Sequence, residues 1–276
     1  VYLILLTRII TGIIGIAIAT VIIQMGGYVF QCFAIFLGVG AWMEYCRAFQ
    51  KIGNYLPDFV GSLLISFILA GARISPEAVL GFAVFAVLGM LLLSVLRHAY
   101  TNGLEACLSV AGIMYFGLSF AHMVMLRLMG EDTIIATSLG DFQLGCALIW
   151  VALIGTWASD TFAYFTGCAI GKHKLCPEIS PKKTIEGFAG GLIGTTASVA
   201  GVGAFFGFDV VQMAVLGFFI CIIATLGDLV ESVMKRYTGI KDSGTLIPGH
   251  GGIWDRFDSV LYTIPLVYYF AKFVIL

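Results

Sequence analysis

The sequence predicts an all-α polytopic membrane protein of about nine transmembrane helices, with the N-terminus cytoplasmic and the C-terminus outside. Three observations carry that expectation. Of 276 residues, 60% are hydrophobic and 11% charged, where a soluble globular domain carries roughly 25% charge. The mean hydropathy is +1.01. The apolar residues also gather into blocks near the ~20 residues that cross a bilayer as a helix, at about 3–24, 28–46, 57–73, 77–97, 105–128, 144–167, 187–207, 210–235 and 254–275. No internal repeat or long linker interrupts them, so 1–276 reads as a single integral membrane domain, with helices 1–5 within 1–130 and helices 6–9 within 144–276.

The first block, roughly Leu3 to Ile23, is too long for the apolar core of a signal peptide and shows no evident cleavage site, so a retained helix is expected. Blocks two to five qualify on apolar length alone. Block six ends in TWASDTFAYFTG, which carries Asp160 with Ser159 beside it and Tyr164 one turn on. Block seven opens with Gly187, Gly190, Gly191 and Gly194, a spacing of small residues that suits close helix packing in lipid. Block eight ends in GDLVESVMKR, where Asp228, Glu231, Ser232 and Lys235 stand at i, i+3, i+4 and i+7 and share one helix face. Asp228 then lies about 10 Å inside the helix end, at 1.5 Å per residue. Block nine opens with Asp255 and Asp258 at i, i+3, two carboxylates expected on one face.

The net charge of −1 points to no nucleic-acid partner, but the placement of charge is informative. Alternating spans put Arg8, Arg47, Lys51, Arg97, Lys172, Lys174, Lys182, Lys183, Lys235, Arg236, Lys241 and Arg256 on one side, against Arg73, Arg127 and Lys272 on the other. The rich side is cytoplasmic by the positive-inside rule. The seven cysteines form no CxxC pair and are expected to be small buried hydrophobes.

An ionised side chain at mid-bilayer costs roughly 2.5–3.5 kcal/mol on insertion scales. Asp160, Asp228 and Glu231 must therefore face a polar cavity, a cation or one another. Asp255 and Asp258 suit Mg2+, which takes one or two carboxylates plus substrate phosphates. The preceding PGHGG lets the backbone turn tightly, and Arg256 offers a forked phosphate donor. Acids for a metal beside bases for phosphates are the ingredients of phosphoryl or nucleotidyl transfer. The 171–187 stretch, GKHKLCPEISPKKTIEG, adds four lysines and His173.

Residues 232–258, SVMKRYTGIKDSGTLIPGHGGIWDRFD, resemble the signature of the phosphatidate cytidylyltransferases, also called CDP-diacylglycerol synthases. The shared pattern is S-x2-K-R-x4-K-D-x-G followed by P-G-H-G-G-x-x-D-R-x-D. SDTFAYFTG, ISPKKTIEG and GDLVES resemble further blocks of the family, in the family's order. The resemblance implies a reaction of CTP with phosphatidic acid, giving CDP-diacylglycerol and pyrophosphate with Mg2+; a second cation, K+ or another Mg2+, is left open. It implies catalytic roles for Asp228, Asp255, Lys235 and Arg256, and metal ligation by Asp228, Asp255 and Asp258. Substrate contacts are implied for Lys182, Lys183, Ser232, Arg236, Lys241, His250 and Asp160, with no individual role assigned to Ser232 or His250. It also implies a homodimer. The compact nine-span form without a long soluble extension suggests a bacterial inner membrane, and the charge count turns the active site to the cytoplasm.

Three other readings compete. A CTP-dependent lipid kinase of the dolichol or phytol kinase type would make phospholipid and CDP. A CDP-alcohol phosphotransferase would need D-G-x2-A-R-x8-G-x3-D-x3-D, a pattern this chain lacks. An ion or solute transporter would commonly show paired repeats.

Overall fold

A computed structural model describes residues 2–98, 102–244 and 251–276. Helices dominate it: α1 (Tyr2–Met25), α2 (Gly27–Gln50), α3 (Asp58–Gly71), α4 (Pro76–Leu96), α5 (Gly103–Leu128), α6 (Leu144–Ile170), α7 (Ile185–Phe205), α8 (Val210–Tyr237), α9 (Trp254–Phe257) and α10 (Val260–Phe270). Among the described residues, seven helices are long and apolar enough to cross a membrane. The third expected span is shorter than the sequence implied. α3 has 14 residues, a rise of about 21 Å against a hydrocarbon core of ~30 Å.

Two further differences bear on the site. The ninth span, Trp254–Ile275, carries a turn at Asp258 and Ser259 between α9, which ends at Phe257, and α10, which begins at Val260. Asp255 stands in α9, and Asp258, in the turn that follows, accepts the backbone N–H of Ser259 at 2.6 Å. The polar stretches are not all loop either. Antiparallel hairpins pair β1 (Ile134–Thr137) with β2 (Gly140–Gln143), and β3 (Lys174–Cys176) with β4 (Ser180–Thr184).

The chain divides into two compact units, Val1–Leu128 with Lys235–Phe257, and Met129–Met234 with Asp258–Leu276. In the first, an aromatic cluster on α2 and α5 encloses Trp254. The Trp254 ring meets Phe116 edge-on at 5.7 Å and Tyr45 at 5.6 Å, contacts worth about 0.5–1.5 kcal/mol each beyond their buried area. Trp254 is fully buried, so it fixes where α9 starts. α8 stops cleanly: Gly239 is at φ +69°, Gly239 N–H donates to Arg236 O and Ile240 N–H to Lys235 O. These are the two bonds of a Schellman end.

In the second unit α6 packs along α7, and the expected glycine face of α7 makes the contact. A Cβ on Gly187 would sit 2.8 Å from Ala163 O, and one on Gly191 3.2 Å from the Ala163 methyl. Lipid supplies no hydrophobic drive between helices, so backbone approach of this kind and hydrogen bonds hold them together. One such bond joins the buried hydroxyls of Thr156 on α6 and Thr263 on α10 at 2.8 Å.

Gly187→Val is expected to lower the melting temperature of the detergent-purified protein, as overpacking costs about 1–3 kcal/mol. Gly201 has nothing within 4 Å of its Cβ position, so Gly201→Ala should leave the melting temperature unchanged or raise it; equal behaviour of the two variants would overturn this packing account.

Candidate active site

α8 carries the first part of the site. Its i, i+3, i+4 spacing places Asp228, Glu231 and Ser232 together, and Ser232 Oγ donates to Asp228 Oδ1 at 3.3 Å. Asp258 joins them from the turn before α10. Gly227 makes that approach possible, because a Cβ there would lie 2.9 Å from Asp258 O and 3.1 Å from Ser259 Cα. Ser259 Oγ then ties the turn to Ala224 O at 3.0 Å. As a result, one carboxylate oxygen from each of Asp228, Glu231 and Asp258 lies within 4.8 Å of the others, with Glu231 only 2% exposed.

An all-carboxylate oxygen set is what a hard divalent cation takes. Three carboxylate oxygens gathered this closely would hold such an ion and supply negative charge to it. The three residues therefore fit the expected metal. Two of them, Asp228 and Asp258, belong to the expected ligand set.

The β3–β4 hairpin brings positive charge to the same place. Strand alternation turns Lys183 inward while Lys182 stays exposed. Lys183 Nζ meets Asp228 Oδ2 at 2.7 Å. Glu186, in the first turn of α7, fastens the hairpin's base: its carboxylate accepts Lys172 N–H at 3.0 Å and pairs with His173 Nδ1 at 2.6 Å. Thr184 caps α7 by accepting Gly187 N–H. His173 is thus a hairpin fastener.

A cavity of about 580 Å3 opens beside these groups, lined by the charged residues Asp160, Asp228, Lys174, Lys182 and Lys183 and by apolar ones that include Ala163, Leu175 and Phe188. Asp160 and Asp228, from α6 and α8, share one hollow as expected. Three lysines in that hollow give it the positive charge that suits a polyanion, and its apolar lining residues suit a lipid.

Asp255 has its own setting in the first unit. Oδ1 pairs with Lys235 Nζ at 2.8 Å, and Oδ2 accepts the N–H groups of Ser243 and Gly252, each at 2.9 Å. Two of the expected catalytic residues, Lys235 and Asp255, are therefore brought together as an ion pair. Both are largely buried, so removing one partner costs about 3–5 kcal/mol. Arg236, Lys241 and Arg256 are exposed. His250, an expected substrate contact, lies outside the described residues.

Sequence reasoning missed Glu44. This acid on α2 is 2% exposed and accepts Ser243 Oγ, Ile253 N–H and Trp254 N–H at 2.9–3.0 Å. Its signal was present: a carboxylate inside the predicted span 28–46 carries the same insertion cost that singled out Asp160 and Asp228.

A helical membrane protein that sets carboxylates against lysines around one cavity belongs, by fold and site, with membrane-embedded enzymes of phosphate-ester chemistry. Comparison with known proteins makes this specific. The model of the cytidylyltransferase family matches residues 6–274, and the chain belongs to that family; it is a nucleotidyltransferase of the membrane. Similar curated proteins include the phosphatidate cytidylyltransferases of Bacillus subtilis, 33% identical over 95% of this chain and 96% of the relative, and of Synechocystis sp., 35% identical over 96% and 95%. That of Staphylococcus haemolyticus is 34% identical over 94% and 96%.

Lys183→Ala should lower nucleotidyl transfer by about 100-fold, the usual loss when one preorganised charge partner of the reacting phosphates is removed. The check is steady-state turnover of a variant that elutes as the folded protein; turnover near that of the unsubstituted protein would deny Lys183 this role.

Proposed function

We propose that the protein transfers the cytidylyl group of CTP to phosphatidic acid, giving CDP-diacylglycerol and pyrophosphate. The observation that carries the reading is the cavity where Lys183 pairs with Asp228, lined by lysines and by apolar side chains together. The names of the relatives, each a phosphatidate cytidylyltransferase, support the same choice of substrates.

Lys174, Lys182 and Lys183 bind the triphosphate and neutralise the charge of the departing pyrophosphate. Asp228 orients Lys183 by accepting its ammonium, and Ser232 holds the Asp228 carboxylate in turn. Asp228, Glu231 and Asp258 would hold Mg2+, which when bound shields the phosphates and stabilises departing pyrophosphate. A phosphate oxygen of phosphatidic acid attacks the α-phosphorus of CTP in line. The new P–O bond forms as the bond to the bridging β-phosphate oxygen breaks, and pyrophosphate leaves with the electron pair. The nucleophile is already an anion, so no covalent enzyme intermediate is required.

Asp255 and Arg256 keep a place in the reading as residues of the reaction, with Asp255 set by Lys235 and two backbone N–H groups. We place the reaction at the cytoplasmic face of a bacterial inner membrane, where a lipid that stays in the bilayer meets a nucleotide that stays in water. The excess of lysine and arginine on one side of the predicted spans supports that orientation. A homodimer belongs to the proposal through the family resemblance alone.

Purified protein given CTP, phosphatidic acid and Mg2+ should release pyrophosphate and form CDP-diacylglycerol. CDP with a newly phosphorylated lipid would assign a kinase instead. Asp228→Asn and Asp255→Asn should each abolish the product while the protein remains folded in the membrane, and near-normal turnover in both would sink the assignment. Cys168, exposed and lining the cavity, provides an independent check. CTP should slow its alkylation by a maleimide but not that of the exposed Cys32 and Cys107; equal protection of all three would remove the cavity from the nucleotide's path.

A further inference from the structure

Glu44 is a carboxylate buried in an apolar helix, and no lysine, arginine or histidine among the described residues pairs with it. Its hydrogen bonds all run to one segment of chain. Oε2 accepts Ser243 Oγ at 3.0 Å and Trp254 N–H at 2.9 Å, and Oε1 accepts Ile253 N–H at 3.0 Å. The segment is shaped to receive it. A Cβ on Gly244 or on Gly252 would collide with the Glu44 carboxylate, so both positions leave room for the acid and nothing larger.

The aromatic cluster already buries Trp254, so anchoring this segment does not by itself require a charge. A well-packed neutral side chain holds a buried position as well as an ion does. What the charge adds lies on the other side of Ser243. The Ser243 N–H donates to Asp255 Oδ2 at 2.9 Å, its hydroxyl accepts Asp255 N–H at 3.3 Å, and the same hydroxyl donates to Glu44. Ser243 is thus a shared node between two carboxylates. Gly252, whose N–H is the second donor to Asp255 Oδ2, adjoins Ile253, whose N–H goes to Glu44. Asp255 in turn holds Lys235.

We propose that Glu44 is a positioning residue for the transfer reaction: through Ser243 and the 252–254 backbone it sets the Asp255 carboxylate and, with it, the Lys235 ammonium. Its consequence for turnover rests on the function proposed above; its structural half does not.

Two measurements on the full-length purified protein separate these. In Glu44→Gln one accepting oxygen becomes a donor, and amide hydrogen exchange at residues 252–255 should rise at least about 10-fold, as expected of a locally opened segment. Its kcat should fall about 100-fold, the loss a misplaced reacting group produces. KM for CTP and phosphatidic acid should stay within about 3-fold, the pattern of an interaction that acts on the reacting state and not on binding. Glu44→Asp keeps the charge and should recover part of kcat. Ser243→Ala keeps the two backbone bonds to Glu44 and the backbone N–H donated to Asp255 Oδ2, but removes the hydroxyl that joins Glu44 to the Asp255 N–H, and should lower kcat by about 10-fold.

Unchanged exchange in Glu44→Gln overturns the proposal. So does a kcat within about 3-fold of the unsubstituted protein, or a raised KM with kcat intact, which would make Glu44 a binding residue. If Glu44→Gln does not fold, Ser243→Ala decides, and an undiminished kcat overturns the proposal. If the unsubstituted protein forms no CDP-lipid, the function proposed above fails, and the exchange measurement alone judges the role of Glu44.

Discussion

A carboxylate drawn into an apolar medium must meet a cation or a set of hydrogen-bond donors, and the arrangement of this protein follows from meeting that demand several times over. The alternative, an ionised group left unpaired in a low-dielectric interior, costs several kcal/mol even after relaxation. The chain uses three solutions. Asp228 meets an ammonium, that of Lys183. Asp255 meets an ammonium and two backbone N–H groups. Glu44 is satisfied by hydrogen bonds from backbone and hydroxyl donors. Each solution organises a different part of the chain: the β3–β4 hairpin, the 252–255 backbone with Lys235, and Ser243 with Ile253 and Trp254.

Glycine is the means by which these polar groups come close enough. Gly227 lets the turn carrying Asp258 lie against α8, and Gly244 and Gly252 let backbone wrap a buried acid. Gly187 and Gly191 let α7 settle on α6, and the cavity is lined by residues of those two helices and of the hairpin joining them. The small residues that pack helices in lipid are here also the ones that shape the polar site. This links fold to chemistry: the same absence of a Cβ serves van der Waals contact in one turn and carboxylate access in the next.

Much of this was legible before any coordinates. Helix positions followed hydropathy, and all four residues of the α7 glycine face and the Asp228–Glu231–Ser232 face of α8 were readable from spacing, since spacing along a helix is a local property. Three features were not. The turn at Asp258 and Ser259 was hidden because it is held by a tertiary contact, Ser259 Oγ with Ala224 O on α8. The β3–β4 hairpin was hidden because a lysine-rich stretch reads as solvated loop, and its strands are held by Glu186 from the next helix. Glu44 was overlooked because a lone acid in an apolar span has no local partner to announce its role.

By itself the sequence determined a helical membrane protein, the spans along it, and the residue types of a phosphate-handling site, because these depend on composition and on neighbours within a few turns. Tertiary structure alone decided which lysine meets Asp228, which acids converge with it, and that Glu44 and Ser243, 199 residues apart, are joined. Contacts of that separation are set by how helices pack, and no local pattern in the chain encodes them.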